Sequence, residues 1–591
     1  MTSTNDETMT GGELLVRMLR AEGVEVVFGI IDGTYLQLTR SLRDHGIRLI
    51  TPRHESSAVH MAGSYARTTG KLGVCIASNG PGVANALPGV AVEEGEGNRV
   101  LLITTCRRTG IIRPDRGGTF QHFDQVGTIG AMSKWSSAIE SADRIAELMR
   151  RGLRECYRGR PGVVHLDVPE DLANGEFDVT PPMLQQQEQY RRIEPAAASP
   201  PLVRAAADLL TTSGRVMIHA GSGVGHALAH GALLEVATLL NAPVTTSWAG
   251  RGAIPESLRL AVPMIHIDLN NRVRNEADAV LSLGTRFGET DWWGKPPYWR
   301  RGTEQRHVQV DIDEQMLGMN KVVDLAVLAD VGVFLAALRD ELKERDLKSL
   351  RESQEAWVAG IEAERKQERE TFDAALELET ERIHTPNVPV ICQQVFDDDS
   401  FLVIDGGNTA VWVNTYHEVR HPLSAISTAK FGMLGAGIGQ ALGIQAAHPG
   451  RQVYCILGDG AMGFHPQELE TAIRNDLPVI FVVLCDLQWG MVKLTQQITL
   501  KPEETLLRKP VGPEGSINAD LGEIRFDDLA RSMGAHGERV STKEELEPAL
   551  RRCIEAGRCS VVHVDVDPQE HLWAPGLMHF KAMHQEPEEP A

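Results

Sequence analysis

The sequence predicts an α/β protein built from three doubly wound open-sheet domains. Three observations carry that expectation. At 591 residues the chain is long enough for several domains of about 150 to 200 residues each. Short apolar runs alternate with helical patterns through three separate segments, the texture of parallel sheets covered on both faces. No apolar stretch approaches the ~20 residues that a membrane span requires. The domains are expected at 11–180, 200–342 and 387–570, with a helical connection at 343–386.

In the first segment the strand runs are "VEVVFGI", "RLITP", "LGVCIAS" and "RVLLITT", and it ends in "GVVHLDVPEDL". A Pro- and Gln-rich stretch, "TPPMLQQQEQYRRIEPAAASPP", reads as a linker. The second segment supplies "GRVMIHAGSGVG", "APVTTSW", "ADAVLSLGTRF" and "RHVQVDID" as strands of another open sheet. From Lys343 to Glu381 the composition is charged and helical, with few turn residues. In the third segment "FLVIDGGN", the run into Leu457, Leu477 to Leu484 and "SVVHVDVD" are the strands. Its ending "GRCSVVHVDVD" echoes the "GRPGVVHLDVP" that closes the first segment, which predicts one topology for the two outer domains.

A net charge of −21 argues against nucleic acid or an anionic membrane as the main partner. The eight cysteines form no C-x-x-C pair and several sit inside apolar runs, as suits free thiols in a reducing compartment. The N-terminus carries acids early and has no signal-like apolar run, so a cytoplasmic protein is expected. The tail after His571 is polar, and rich in Pro and Glu at its tip.

Chemistry concentrates in "GDGAMGFHPQELETAIRNDLPVIFVVLCDLQWGM", Gly458 to Met491. It reads as strand, turn, helix and buried parallel strand, with Asp459 in the turn and Asp486 closing the second strand, 27 residues on. Gly458, Gly460 and Gly463 also spell the dinucleotide-binding pattern G-x-G-x-x-G. Asp459 distinguishes the two readings. A bare carboxylate repels a pyrophosphate at that turn, whereas Mg²⁺ would bridge carboxylates to phosphates. Two acids at adjacent strand ends can reach one such ion.

Joined to "TPRHESSAVHMAGSYARTTGKLGVCIASNGPGVANAL" and the three-segment layout, this motif resembles the thiamine-diphosphate (ThDP) enzymes of the acetolactate synthase, 2-oxoacid decarboxylase and oxidase group. The resemblance covers essentially the whole chain. It implies a pyrimidine-binding first domain, a middle domain and a diphosphate- and Mg²⁺-binding third domain. It also implies a homodimer or homotetramer with active sites at subunit interfaces. Carried over by position, it gives Asp459, Asp486 and the main-chain carbonyl of Gln488 as metal ligands. Cys485-Asp486 stands where that family usually has Asn-Asn, so a charge replaces an amide while an oxygen donor is kept. Asn408, Thr409, Gly458, Gly460 and Ala461 fall to the diphosphate. Gly432 and Leu434 in "KFGMLGAG" would accept from the 4′-amino group and wedge beneath the two rings.

Glu55 resembles the glutamate that shares a proton with the pyrimidine N1′ and so activates the cofactor. Its plainer reading is an acid in the first turn of a helix, favoured by the helix dipole. Phe120 and Gln121 in "GGTFQHFDQ" match the Phe-Gln pair that acetolactate synthases bring to the thiazolium, and Lys134 lies nearby in sequence. His54 suits positioning or packing. Two departures bear on the acceptor: Asp32-Gly33-Thr34 replaces Gly-Gly-Ala, and Thr495 stands where that family has a tryptophan. In the middle domain "GTRF" with Arg286, and "VDIDEQMLGMNK" with Asp311, are similar to segments that hold FAD in some relatives and ADP or nothing in others.

The expected reaction is decarboxylation of a small 2-oxoacid such as pyruvate with transfer to an acceptor, as in acetolactate synthases. Its enzymatic alternative is an acyltransferase or lyase of the sulfoacetaldehyde acetyltransferase or 2-hydroxyacyl-CoA lyase type. A catalytically silent ThDP-binding homologue and a Rossmann dehydrogenase are the remaining rivals.

Overall fold

A computed structural model of the chain describes residues 7–112, 114–180, 183–509, 515–583 and 587. Residues 1–6, 113, Pro181 and Pro182 of the linker, 510–514 and most of the tail after 583 lie outside them.

The first segment carries β1 (Glu7–Thr10), β2 (Val26–Gly29), β3 (Arg48–Ile50), β4 (Gly73–Ala77), β5 (Val100–Cys106), β6 (Trp135–Ala138), β7 (Val163–Pro169) and β8 (Glu176–Val179). Six of them form a parallel sheet in the order β3-β2-β4-β5-β7-β6, and β1 pairs antiparallel with β8 as a separate ribbon. The middle segment adds β9 (Val216–Ala220), β10 (Val244–Thr246), β11 (Ala261–Val262), β12 (Ala279–Leu283), β13 (Arg306–Asp311) and β14 (Leu325–Leu328), ordered β11-β10-β9-β12-β13-β14. That is the doubly wound 3-2-1-4-5-6 arrangement, whose switch point lies between β9 and β12.

The third segment holds β15 (Phe401–Asp405), β16 (Ala425–Ser427), β17 (Val453–Gly458), β18 (Ile480–Cys485), β19 (His536–Val540) and β20 (Ser560–Asp565). Its order, β16-β15-β17-β18-β20-β19, repeats the first sheet strand for strand. The echo between the two segment endings, now β7 and β20, is thus an echo of topology. Interior strands are buried along nearly their whole length, as β18 is along all six residues, because helices cover both faces. β6, β11, β14, β16 and β19, which the apolar runs did not predict, are all edge strands.

The charged connection is a helix, Lys348–Asp373, with an apolar stripe at Leu350, Trp357, Val358 and Ile361. Within the same stripe Gln354 bonds both the N–H and the C=O of Val216 at 3.0 Å, fixing the start of β9. The linker is anchored rather than loose, since Arg191 forms a buried ion pair with Glu22 at 2.7 Å.

The outer sheets share one hydrophobic core, in which Ala58, Met61 and Ala62 meet Ile438, Ala441 and Leu442. Helices Glu55–Thr69 and Ala436–Ala447 cross there at glycines: a Cβ on Gly443 would lie 2.3 Å from the Met61 carbonyl oxygen. All eight cysteines are free and buried. Among the described residues no helix is long and apolar enough to cross a membrane.

Candidate functional site

β17 and β18 are parallel neighbours with Gly458 opposite Leu484, so Asp459 and Asp486 emerge from adjacent strand ends. Asp459 opens a one-turn helix, Asp459–Met462. One of its carboxylate oxygens accepts from Gly460 N at 2.7 Å and the other from Leu487 N at 2.9 Å. The loop after β18 therefore fixes the acid that follows β17. Asp486 accepts from Gln488 Nε2 at 3.1 Å.

Both acids are buried, and burial raises both carboxyl pKa values, Asp459 also through the Asp486 charge. Among the described residues no lysine or arginine pairs with either acid. Lys493 is paired with Asp520 at 2.6 Å, and His571, 3.8 Å from Asp486, is pushed down to about 3 by burial. Two oxygen donors at negative potential fit a hard divalent cation. Among the described residues no group of three or more His, Cys, Asp and Glu converges, so further ligands would be carbonyls such as that of Gln488, water or a phosphate.

A polar cradle adjoins the pair. Helix Asn408–Tyr416 follows β15, and its first two residues, Asn408 and Thr409, are buried. Among the described residues neither the side-chain amide nitrogen nor the side-chain carbonyl oxygen of Asn408 has a partner, a costly state unless a ligand meets them. The cradle is kept open by glycine: a Cβ at Gly490 would lie 2.9 Å from Asn408 Nδ2 and 3.3 Å from Asp486 Oδ2, and one at Gly458 3.1 Å from Thr409 Oγ1. Gly460 sits beneath the Trp489 ring, which a Cβ would meet at 2.6 Å. Such a helix start, with the unpartnered Asn408 side chain beside it, attracts phosphate.

Gly432 lies on a turn, its φ of +66° left-handed and its N–H on the Thr428 carbonyl at 2.8 Å. Two residues on, Leu434 packs half-buried against the shared core.

A second cluster forms in the first segment. His54 caps helix Glu55–Thr69 by accepting from Ser56 N at 3.2 Å and lies 5.0 Å from the His465 ring, a packing position. Glu55 is the first residue of that helix and is buried, with Asn85 Nδ2 donating to it at 3.0 Å. Both expectations for Glu55 meet here, an acid in a first turn and a carboxylate held in a defined place.

The Gln121 carbonyl accepts from Asn79 Nδ2 at 3.1 Å, and Gln121 itself is left-handed at φ +54°. Gln125, buried, accepts from Gly80 N at 2.8 Å and donates to Asp167 at 2.8 Å. The start of helix Pro81–Glu96 thus gathers Glu55 and Gln121. Phe120 beside them is 72% exposed, with the Arg107 guanidinium over its ring. Lys134 spends its amine on the carbonyls of Glu155, at 2.6 Å, and Arg158 at a helix end. Thr34 is tied to Asp32 at 2.7 Å and to Thr105 at 2.7 Å. Thr495 is exposed on helix Gly490–Leu500.

Asn79, Asn85, Gln125 and Trp489 belong to this geometry, and no motif in the sequence marks them. Asn79 and Asn85 lie inside the quoted "SNGPGVANAL", but only the folded contacts give them partners.

The middle sheet presents a crevice of about 200 Å³ at the carboxyl ends of β9, β12 and β13, lined by Ser222, Arg286, Asp311 and, from the first segment, Arg160. Burial raises Asp311 to about 6.

Comparison with known proteins gives three matches to family models. Residues 9–128 match the thiamine pyrophosphate enzyme N-terminal TPP binding domain, 203–338 the central domain and 405–564 the C-terminal TPP binding domain, together more than half of the chain. The chain is 27% identical over 574 residues to a probable acetolactate synthase large subunit of Methanococcus aeolicus, covering 95% of this chain and 93% of that protein. It is 28% identical over 577 residues to the acetolactate synthase isozyme 2 large subunit of Escherichia coli, covering 96% and 97%. For isozyme 3 of that organism the identity is 27% over 575 residues, with 96% of each chain covered.

Proposed function

The chain belongs to the thiamine pyrophosphate enzyme family, and from that premise we propose a ThDP- and Mg²⁺-dependent, acetolactate synthase-like carboligase acting on a small 2-oxoacid such as pyruvate. The observation that carries this reading is the convergence of Asp459, Asp486 and the unpartnered Asn408 at the ends of β17, β18 and β15.

When bound, thiamine diphosphate supplies a thiazolium that accepts the electron pair left as CO₂ departs from a 2-oxoacid. The protein's part is binding, orientation and proton placement. Asp459, Asp486 and the Gln488 carbonyl would hold Mg²⁺. Asn408, Thr409 and the backbone at Gly458, Gly460 and Ala461 take the diphosphate. Glu55 holds a proton at the pyrimidine N1′, with Asn85 fixing the carboxylate that does so. The Gly432 carbonyl would accept from the cofactor's 4′-amino group, and Leu434 would pack as an apolar wedge against it, an orienting role. Gln121 and Phe120 face the substrate. The working unit is a homodimer or homotetramer in which the first segment of one chain meets the third segment of another. That arrangement gives the exposed Phe120 a surface to cover.

The crevice of the middle sheet lies where doubly wound folds bind nucleotides. Its cations Arg160 and Arg286 suit phosphates, and FAD or ADP is the group it would take. A flavin spectrum of the purified protein distinguishes the two.

Carbon-labelled pyruvate incubated with the protein, ThDP and Mg²⁺, followed by NMR beside Glu55→Gln, tests the reading. Labelled acetolactate from the wild type alone is the expected result. Thr495 favours a second reading, since an exposed threonine replaces a bulky acceptor-side ring. Turnover only with sulfonated aldehydes or acyl-CoA donors would move the assignment to the acyltransferase or lyase type. Bound ThDP without C2 proton exchange would leave a silent homologue.

A further inference from the structure

Helix Pro81–Glu96 meets the Glu55 cluster near one end and the loop leading to Gly432 and Leu434 at the other. Near its start Asn85 donates to Glu55. At its last residue the Glu96 carboxylate accepts from the backbone N–H of Lys430 at 2.7 Å and of Phe431 at 3.2 Å. Those two residues lead directly into Gly432 and Leu434. The Glu96 side chain is 1% exposed, and its nearest cation, Arg67, is 3.9 Å away. A carboxylate buried to that extent is costly unless hydrogen-bonded, and here two amides of one loop meet it. Eleven residues of helix, about 16 Å, separate Asn85 from Glu96.

We propose that Glu96 is a positioning residue that sets the Lys430–Leu434 loop of its own chain, while Asn85 on the same helix sets Glu55 for the cofactor held by a second copy. One rigid helix then serves two active sites. The inference rests on the ThDP reading above, in which Glu55 already acts in trans, and adds to it one residue, Glu96, acting in cis on the third segment.

The test uses the full-length protein with Mg²⁺, reading ThDP affinity by calorimetry and hydrogen–deuterium exchange at the cofactor C2 by NMR. Glu96→Ala should weaken ThDP binding by about ten-fold or more, because two loop amides lose their acceptor. Glu96→Gln, which still accepts, should bind within about three-fold of wild type. Glu96→Met, of similar volume but unable to accept, replaces the alanine variant if that one fails to fold.

The decisive arm is complementation. Glu55→Gln and Glu96→Ala chains are co-expressed with different tags and purified as mixed assemblies. Each mixed pair contains one site with both defects and one with neither, so exchange should return to about half the wild-type rate. Exchange no faster than in the single variants would overturn the proposal, since it would place the effect of Glu96 in its own first segment. Equal ThDP affinity in Glu96→Ala and wild type would overturn it too. A wild-type chain that binds no ThDP would overturn the reading of the site, and this inference with it.

Discussion

Asp459 and Leu487 are joined across two strand ends: the carboxylate that follows β17 accepts from the first amide beyond Asp486 at 2.9 Å. The turn carrying one acid is thereby registered against the loop carrying the other. Replacing Asp459 by Asn keeps one acceptor but removes half of the negative charge offered to a cation. Mg²⁺-dependent ThDP binding should fall by about ten-fold or more, measured by calorimetry at fixed ThDP with varied Mg²⁺.

Asn408 has a purely ligand-facing signature. Asn408→Ala removes a side-chain amide that has no partner among the described residues. The melting temperature without cofactor should therefore hold within about 2 °C, while ThDP affinity falls. A stability loss equal to that of an ordinary buried amide would assign Asn408 a structural role instead.

Gly460 is small because Trp489 lies on it. Gly460→Ala places a methyl 2.6 Å from the ring and should displace either the ring or the Asp459 turn. Cofactor affinity should drop, and Trp489→Leu in the same chain should restore part of it. Additive losses in the double variant would show that the two residues act separately.

Glu55→Gln should lower the C2 exchange rate by about 100-fold or more while leaving ThDP bound, since general acid–base assistance is lost and the side-chain shape is kept. Exchange at the wild-type rate would return Glu55 to its role as a first-turn acid.

His165 gives the fold an acid limit. It is wholly buried, bonded to Thr104 and to Ser136 at 2.7 Å each, and burial pushes it down to about 4. The unfolded chain binds a proton at this group below about 6.5, where the folded chain does not until about 4. Its contribution is therefore complete above pH 6.5 and is lost as the pH falls from 6.5 toward 4. His165→Asn should flatten that part of the stability curve in urea titrations. Because Thr104 also bonds Asp167, and through it Gln125 and Gly80, acid should loosen the Phe120–Gln121 loop first.

What could be read from the sequence follows from where each residue sits. Interior strands such as β18 declare themselves because both faces are buried and the run is wholly apolar. Edge strands such as β19, "HGERV", satisfy one neighbour and solvent, and nothing in their composition separates them from a loop. Asp459 and Asp486 were legible because strand–helix–strand spacing alone brings their ends together. Asn85, Gln125 and Glu96 were not, because their partners Glu55, Gly80 and Lys430 are brought to them only by packing.

The core shared by helices Glu55–Thr69 and Ala436–Ala447 also constrains synthesis. The face that carries Ala58 and Met61 leaves the ribosome several hundred residues before the helix that covers it. At usual elongation rates it waits on the order of 20 to 70 s. During that interval the first segment presents an uncovered apolar surface with its sheet already formable, so soluble yield should depend on chaperone supply and on translation speed through the middle segment.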